Sequence, residues 1–179
     1  MSASTTITTA PCVWIGRLAC HNASRLVGDW FDAEDVGDVT PDDLHGNPTH
    51  HEELWCFDLE GFPRGTGEMS PSTASRWGKR FDEVGEMQWP ALLAWVEVGC
   101  YVADSDDLPC VSDFEERCCG CWDSEQDYAN HFTEDLGIWG EIPEHLHNYF
   151  DVDAWWRDGR HDYCIADASD GGVYVFRCC

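Results

Sequence analysis

Basic residues are scarce in this chain: 10 lysines and arginines stand against 35 aspartates and glutamates, a formal charge of −25. That scarcity argues against a phosphate-gripping surface, because carboxylates lack the guanidinium and ammonium donors that hold nucleic acid. Direct nucleic-acid binding is therefore not expected. Long apolar runs are missing too; no window approaches the roughly 18 residues a membrane span requires. The opening MSASTTITTAPC reads as a polar tail with no basic-then-apolar leader. A cytoplasmic setting is the expectation, and with it 11 reduced cysteines rather than a disulfide framework.

Catalytic signatures are equally thin. His51-Glu52-Glu53-Leu54-Trp55 begins like a zinc-protease HExxH, but Trp55 stands where the second histidine belongs. GxSxG, GxxxxGK[ST] and the calcium-loop pattern do not occur. His145 and His147 are two apart and would not share a helix face. With 35 carboxylates, a glycosidase-like pair arises by chance. No enzyme, cofactor or metal centre is expected.

What is present suffices for a core: 43% apolar residues, including 10 Trp and 8 Phe. The pattern reads as α+β in three small modules: residues 1–61 (β-rich, charge −9), 62–103 (helical, −1) and 104–179 (α+β, −15). VWIGRLAC and RLVGDWF look like strands about the HNAS turn, and ELWCFDLEG like a third. Ser70-Pro71 opens a helix, and WPALLAWVEVG is a second, stopped at Gly99. DSEQDYANHFTEDLG predicts a helix capped at Asp123 or Ser124, with Tyr128, Phe132 and Leu136 inward and Gly137 ending it. DVDAWWRDG is a short helix; DYCIA and VYVFR form strands about Asp170-Gly171-Gly172.

The stretch DFEERCCGCWDSEQDY mixes carboxylates with cysteines. A zinc- or redox-responsive module on Cys118, Cys119, Cys121 and Cys164, with His161 near by, is one reading. The spacings do not form paired zinc knuckles, so cysteine as small apolar filler is the other. The acidity itself is the stronger signal. Charge this far from neutral destabilises a compact state, and an ordinary solvated face mixes signs. Between Asp104 and Asp170 lie 19 acids, with only Arg117, Arg157 and Arg160 to balance them. On the 123–137 helix Asp127 and Glu134 fall opposite the apolar stripe, with Asp135 beside them. Duplex DNA carries one charge per about 1.7 Å, so 25 net charges match roughly 42 Å of duplex, about 12 base pairs.

The segments VWIGRLACHNASRLVGDWFDA (13–33), FDLEGFP (57–63), DFEERCCGCWDSEQDYANHFTEDLG (113–137), EIPEHLHNYFDVDAWWRDG (141–159) and VYVFR (173–177) together resemble the ArdA antirestriction family of DNA mimics. The resemblance implies an elongated homodimer whose acidic surface stands in for DNA. It further implies, as target, the modification/specificity core of type I restriction–modification enzymes. The central strip would be Asp113, Glu115, Glu116, Asp123, Glu125, Asp127, Glu134 and Asp135. Asp29, Asp32, Glu34, Asp35, Asp58 and Glu60 would extend it. The dimer interface implied for the family maps to Phe132–Leu146, with Leu136, Ile138, Trp139, Ile142 and Leu146 as its apolar residues.

Overall fold

A computed structural model describes residues 10–45, 53–169 and 171–178. It is α+β, as the sequence leads one to expect. Chain contacts divide the described residues into two compact units, those up to Trp89 and those from Pro90 on, so the division falls inside the segment read as a middle module.

In the first unit β1 (Cys12–Arg17) is the central strand, antiparallel to β2 (Gly28–Asp32) on one side and β3 (Leu54–Glu60) on the other. Strand side chains alternate between faces. Val13 and Ile15 are fully buried on one face, and Cys12 and Trp14 take the other. The chain leaves β1 earlier than its apolar run suggests: Leu18–Asn22 is a helical turn, α1, not strand. The Leu18 N–H still reaches the Glu53 carbonyl at 3.1 Å, and Ala23 then closes the turn on Ala19. Leucine and alanine here are good helix formers. A short 3₁₀ turn at Asp35–Asp38 and a five-residue helix α2 (Pro41–His45) follow β2.

Helix α3 (Pro71–Val84) starts where the sequence places it. Ser70 Oγ accepts the Thr73 N–H at 3.2 Å, and Pro71 occupies the first turn, where its missing donor is not needed. It buries Ala74, Trp77 and Gly78. Gly78 is fixed by a close approach: a Cβ there would lie 2.2 Å from the Glu34 backbone nitrogen. Trp89, first residue of α4 (Trp89–Glu97), completes this core. Its indole donates to the Gly61 carbonyl at 2.9 Å and meets Trp77 and Phe81 edge-on.

The second unit has a sheet ordered β4-β6-β5: β4 (Cys118–Trp122), β6 (Val173–Arg177), β5 (Tyr163–Asp167). Helices α5 (Val111–Arg117), α6 (Glu125–Asp135), α7 (Ile138–Glu141) and α8 (Val152–Gly159) complete it. Successive residues of β6 are buried on opposite faces: Val175 and Phe176 are both 0% exposed. Val175 packs with Tyr128, Ala129 and Trp156 of α6 and α8. Phe176 lies 6.4 Å from the rings of both Trp95 and Phe114, which come from α4 and α5. Each such aromatic pair adds about 0.5–1.5 kcal/mol beyond its area burial. The hairpin expected from DYCIA and VYVFR forms in register, Ile165 opposite Val175; Asp170 of its turn lies outside the described residues.

Candidate functional site

The carboxylates of the first unit fall into two groups. Cys12 pairs across the ladder with both Asp32 and Glu60, and Trp14 pairs with Asp58. Paired residues point to the same face, so Asp32, Asp58 and Glu60 all project from the face opposite Val13 and Ile15. All three are exposed, and Trp30, 44% exposed, stands among them. The thiol of Cys12 registers their field. Its pKa is raised first by burial, then by Glu60, which it approaches at 3.8 Å, and by Asp32.

The second group surrounds the entry to the 3₁₀ turn. Glu34 and Asp35 are exposed there, and α3 brings Asp82 against Glu34. The approach that excludes a side chain at Gly78 places Asp82, one helical turn on, beside that carboxyl. A hydrogen bond with Asp82 and then that residue's charge push Glu34 above the usual carboxylate range; Asp35 and Asp32 add to the rise. Asp82 is the acidic neighbour that sequence reading passes over. It sits in the nearly neutral 62–103 segment, and only the fold carries it to the others. Asp29 has the opposite parity to Asp32: it pairs with Ile15, and its Oδ1 accepts the Trp30 N–H at 2.9 Å.

In the second unit Glu115 and Glu116 of α5 are exposed, while Phe114 of the same helix is fully buried. Asp113 is half-buried and lies 3.9 Å from Arg117. On α6 Tyr128, Ala129 and Thr133 face inward; Asp127, Glu134 and Asp135 face out. Phe132 is half-buried, as its place in the stripe suggests, but Leu136 is 53% exposed. The helix ends there: Gly137 adopts φ 67°, so Leu136 leaves the buried stripe with the last turn. Asp127 also works locally, since Ser124 Oγ accepts its N–H at 3.1 Å and donates to its carboxylate. Of the two cap candidates, Ser124 is the cap; Asp123 stays exposed. Glu125 accepts from the Trp156 indole at 2.7 Å and faces Arg160 at 3.3 Å. Asp135 faces His131 at 3.2 Å. Glu116 of α5 and Asp135 of α6 border one open cleft of this unit.

Between α6 and α8 the chain is braced by His147. Its Nε2 lies 3.0 Å from the Trp139 carbonyl and 2.8 Å from that of Ile142, and its ring packs against Trp139. Trp139 in turn meets Phe150 at 5.4 Å. Of the five apolar residues suggested for a dimer interface, Ile138, Trp139 and Ile142 are half-buried in this brace. Leu136 and Leu146 (42%) are exposed, as is Tyr149 (82%).

The cysteines depart from expectation. Cys164 is not grouped with Cys118, Cys119 and Cys121. Cys118 and Cys164 each pair with Phe176, from opposite sides of the central strand, so that buried ring lies between them. Cys164 instead forms a disulfide with Cys100. The reduced-thiol expectation is corrected at this pair: sequence spacing carries no sign that residues 64 apart converge. CCGC is strand β4, interrupted in register between Cys118 and Cys121, and burial raises the Cys118 pKa. His51 and Glu52 lie outside the described residues; Trp55, opposite Gly16 in the ladder, is a strand residue.

The fold and its surface define a class: a small α+β protein that turns dense, same-sign charge outward from two aromatic cores. The sequence comparison then gives the family. The model of the antirestriction protein (ArdA) family matches residues 13–174. The chain belongs to that family, and antirestriction is the activity membership assigns to it. No curated protein gives a match.

Proposed function

We propose that this chain inhibits type I restriction–modification enzymes by DNA mimicry, binding as a homodimer in the DNA site of the modification/specificity core. The single observation that carries the reading is the parity of Asp32, Asp58 and Glu60, which turns three carboxylates to one exposed face of the first unit's sheet. In the second unit, Glu115, Glu116, Asp123, Asp127, Glu134 and Asp135 are exposed as well. A groove that draws in a phosphate backbone attracts any fixed anionic array of similar density. The protein acts by occupancy, so it is no enzyme and needs no cofactor for this activity. Its site of action is the cytoplasm, where restriction enzymes meet incoming DNA, and such genes suit mobile elements; among the described residues no helix is long and apolar enough to cross a membrane. The exposed Leu136, Leu146 and Tyr149 supply an apolar surface for self-association.

The test is competition. Purified protein should displace a labelled duplex from a type I modification core, with an apparent affinity that falls steeply as salt rises. DNA binding left untouched at low ionic strength would reject the proposal. Light scattering should give the mass of two chains; a monomer at micromolar concentration would reject the dimer alone.

A further inference from the structure

Besides the acidic surface, the second unit gathers three sulfurs from three separate segments. Cys164 lies on β5 and registers with Phe176 of β6. Cys178, two residues beyond Phe176, falls on the same face of the sheet. Its N–H bonds to the Asp162 carbonyl at 2.8 Å, which extends the β5–β6 ladder and fixes its position. Cys100 comes from beyond the end of α4 to meet them. The three Sγ atoms all lie within 4.8 Å of one another, and those of Cys164 and Cys178 are 3.0 Å apart. A disulfide uses two sulfurs. The third is held in contact with it by the same ladder, and packing filler gives no reason for three polarisable atoms to converge on one point.

We propose that in the reduced chain Cys100, Cys164 and Cys178 form a thiolate site for a soft divalent cation, Zn²⁺. Tetrahedral zinc at about 2.3 Å from sulfur sets its ligands roughly 3.8 Å apart, a separation that shifts of an ångström or two reach from this cluster. The fourth position falls to solvent. All three residues are half-buried, which shields the thiolates without closing the site. The Arg117 guanidinium donates to the Cys178 carbonyl at 2.9 Å, placing a positive charge beside a zinc–trithiolate of net charge −1. The chain's own −25 raises the local concentration of cations. The chemistry balances. A phosphine reductant attacks the Cys100–Cys164 disulfide and supplies two electrons to break the S–S bond; one water gives its oxygen to the departing phosphine oxide and its two protons to the two sulfurs. Zn²⁺ then displaces three thiol protons.

The experiment is titration of the phosphine-reduced full-length chain with Co²⁺ and then Zn²⁺, without oxygen. One cobalt per chain should bind with a thiolate-to-metal charge-transfer band, and zinc should displace it. Cys178→Ser should weaken binding by more than the roughly 10–100-fold that loss of a supporting outer-shell residue costs. Cys121→Ser should leave it unchanged. Alkylation mapping of the wild-type chain gives an answer that no variant's folding can confuse. Zinc should protect Cys100, Cys164 and Cys178 from iodoacetamide and leave the exposed Cys121 reactive; Cys56, whose thiol burial pushes up to about 12, stays unreactive throughout. Absence of metal binding, protection of Cys118, Cys119 and Cys121 instead, or unchanged affinity in Cys178→Ser would each overturn the assignment. None of these readouts uses a restriction enzyme, so the outcome is independent of the mimicry proposal.

Discussion

Replacing Ser124 by alanine isolates the stability of α6 from its charge. The wild-type hydroxyl accepts the Asp127 N–H at 3.1 Å and donates to the Asp127 carboxylate. Alanine leaves that N–H to water and frees the carboxylate to move. Loss of a serine cap costs about 1 kcal/mol, within a range of roughly 0.5–2. Ser124 is half-buried, so solvent replaces part of what is lost and the middle of that range applies. The consequence for melting depends on how the chain unfolds. If all 179 residues melt together, 1 kcal/mol lowers Tm by about 2–4 °C; if residues 90–179 melt as their own unit, by about 4–8 °C. Calorimetry reads both the size of the shift and the number of transitions. Ser124→Asp, which restores an acceptor, should recover most of the loss. Inhibition measured well below the melt should match wild type, because Ser124 carries no charge. A Tm within about 1 °C of wild type would refute the capping argument. Lost inhibition in a variant that is fully folded would refute the view that α6 acts through its carboxylates.

Glu34 offers a pH test: Asp82 raises its folded pKa, so the folded chain binds more protons there than the unfolded one, and stability falls as pH rises through the folded value. Glu34→Gln should therefore raise Tm at pH 7 and lose its advantage below about pH 4, where the unfolded carboxyl is protonated too; an equal gain at both pH values would contradict this. Gly78→Ala should destabilise by about 1–3 kcal/mol in urea titration, since its Cβ would meet the Glu34 backbone at 2.2 Å; an unchanged midpoint would show that the contact relaxes freely. Single changes at Asp32, Asp58 or Glu60 should barely alter inhibition, whereas the triple Asp32→Asn, Asp58→Asn, Glu60→Gln should weaken it clearly. The deficit should shrink in salt, where screening acts over about 8 Å at 0.15 M; a deficit independent of salt would point to contacts other than charge.

Helices α3 and α6 were legible because their signals are local. Ser70-Pro71, Ser124 and Gly137 act within one turn, and the spacing of Tyr128 and Phe132 sets the inner face of α6 whatever packs there. The strand ending at Arg17 was harder to place, because Leu18–Cys20 is apolar either way and its short run does not separate strand from helical turn.

By itself, the order of residues determined the sign and density of the charge, the α+β class and the resemblance that the family match bears out. These depend on composition and short-range pattern. Tertiary structure alone decided which carboxylates share a face, that Asp82 joins Glu34, and that Cys100, Cys164 and Cys178 meet. Strand register and helix docking join residues far apart in the chain, and no local propensity encodes those distances.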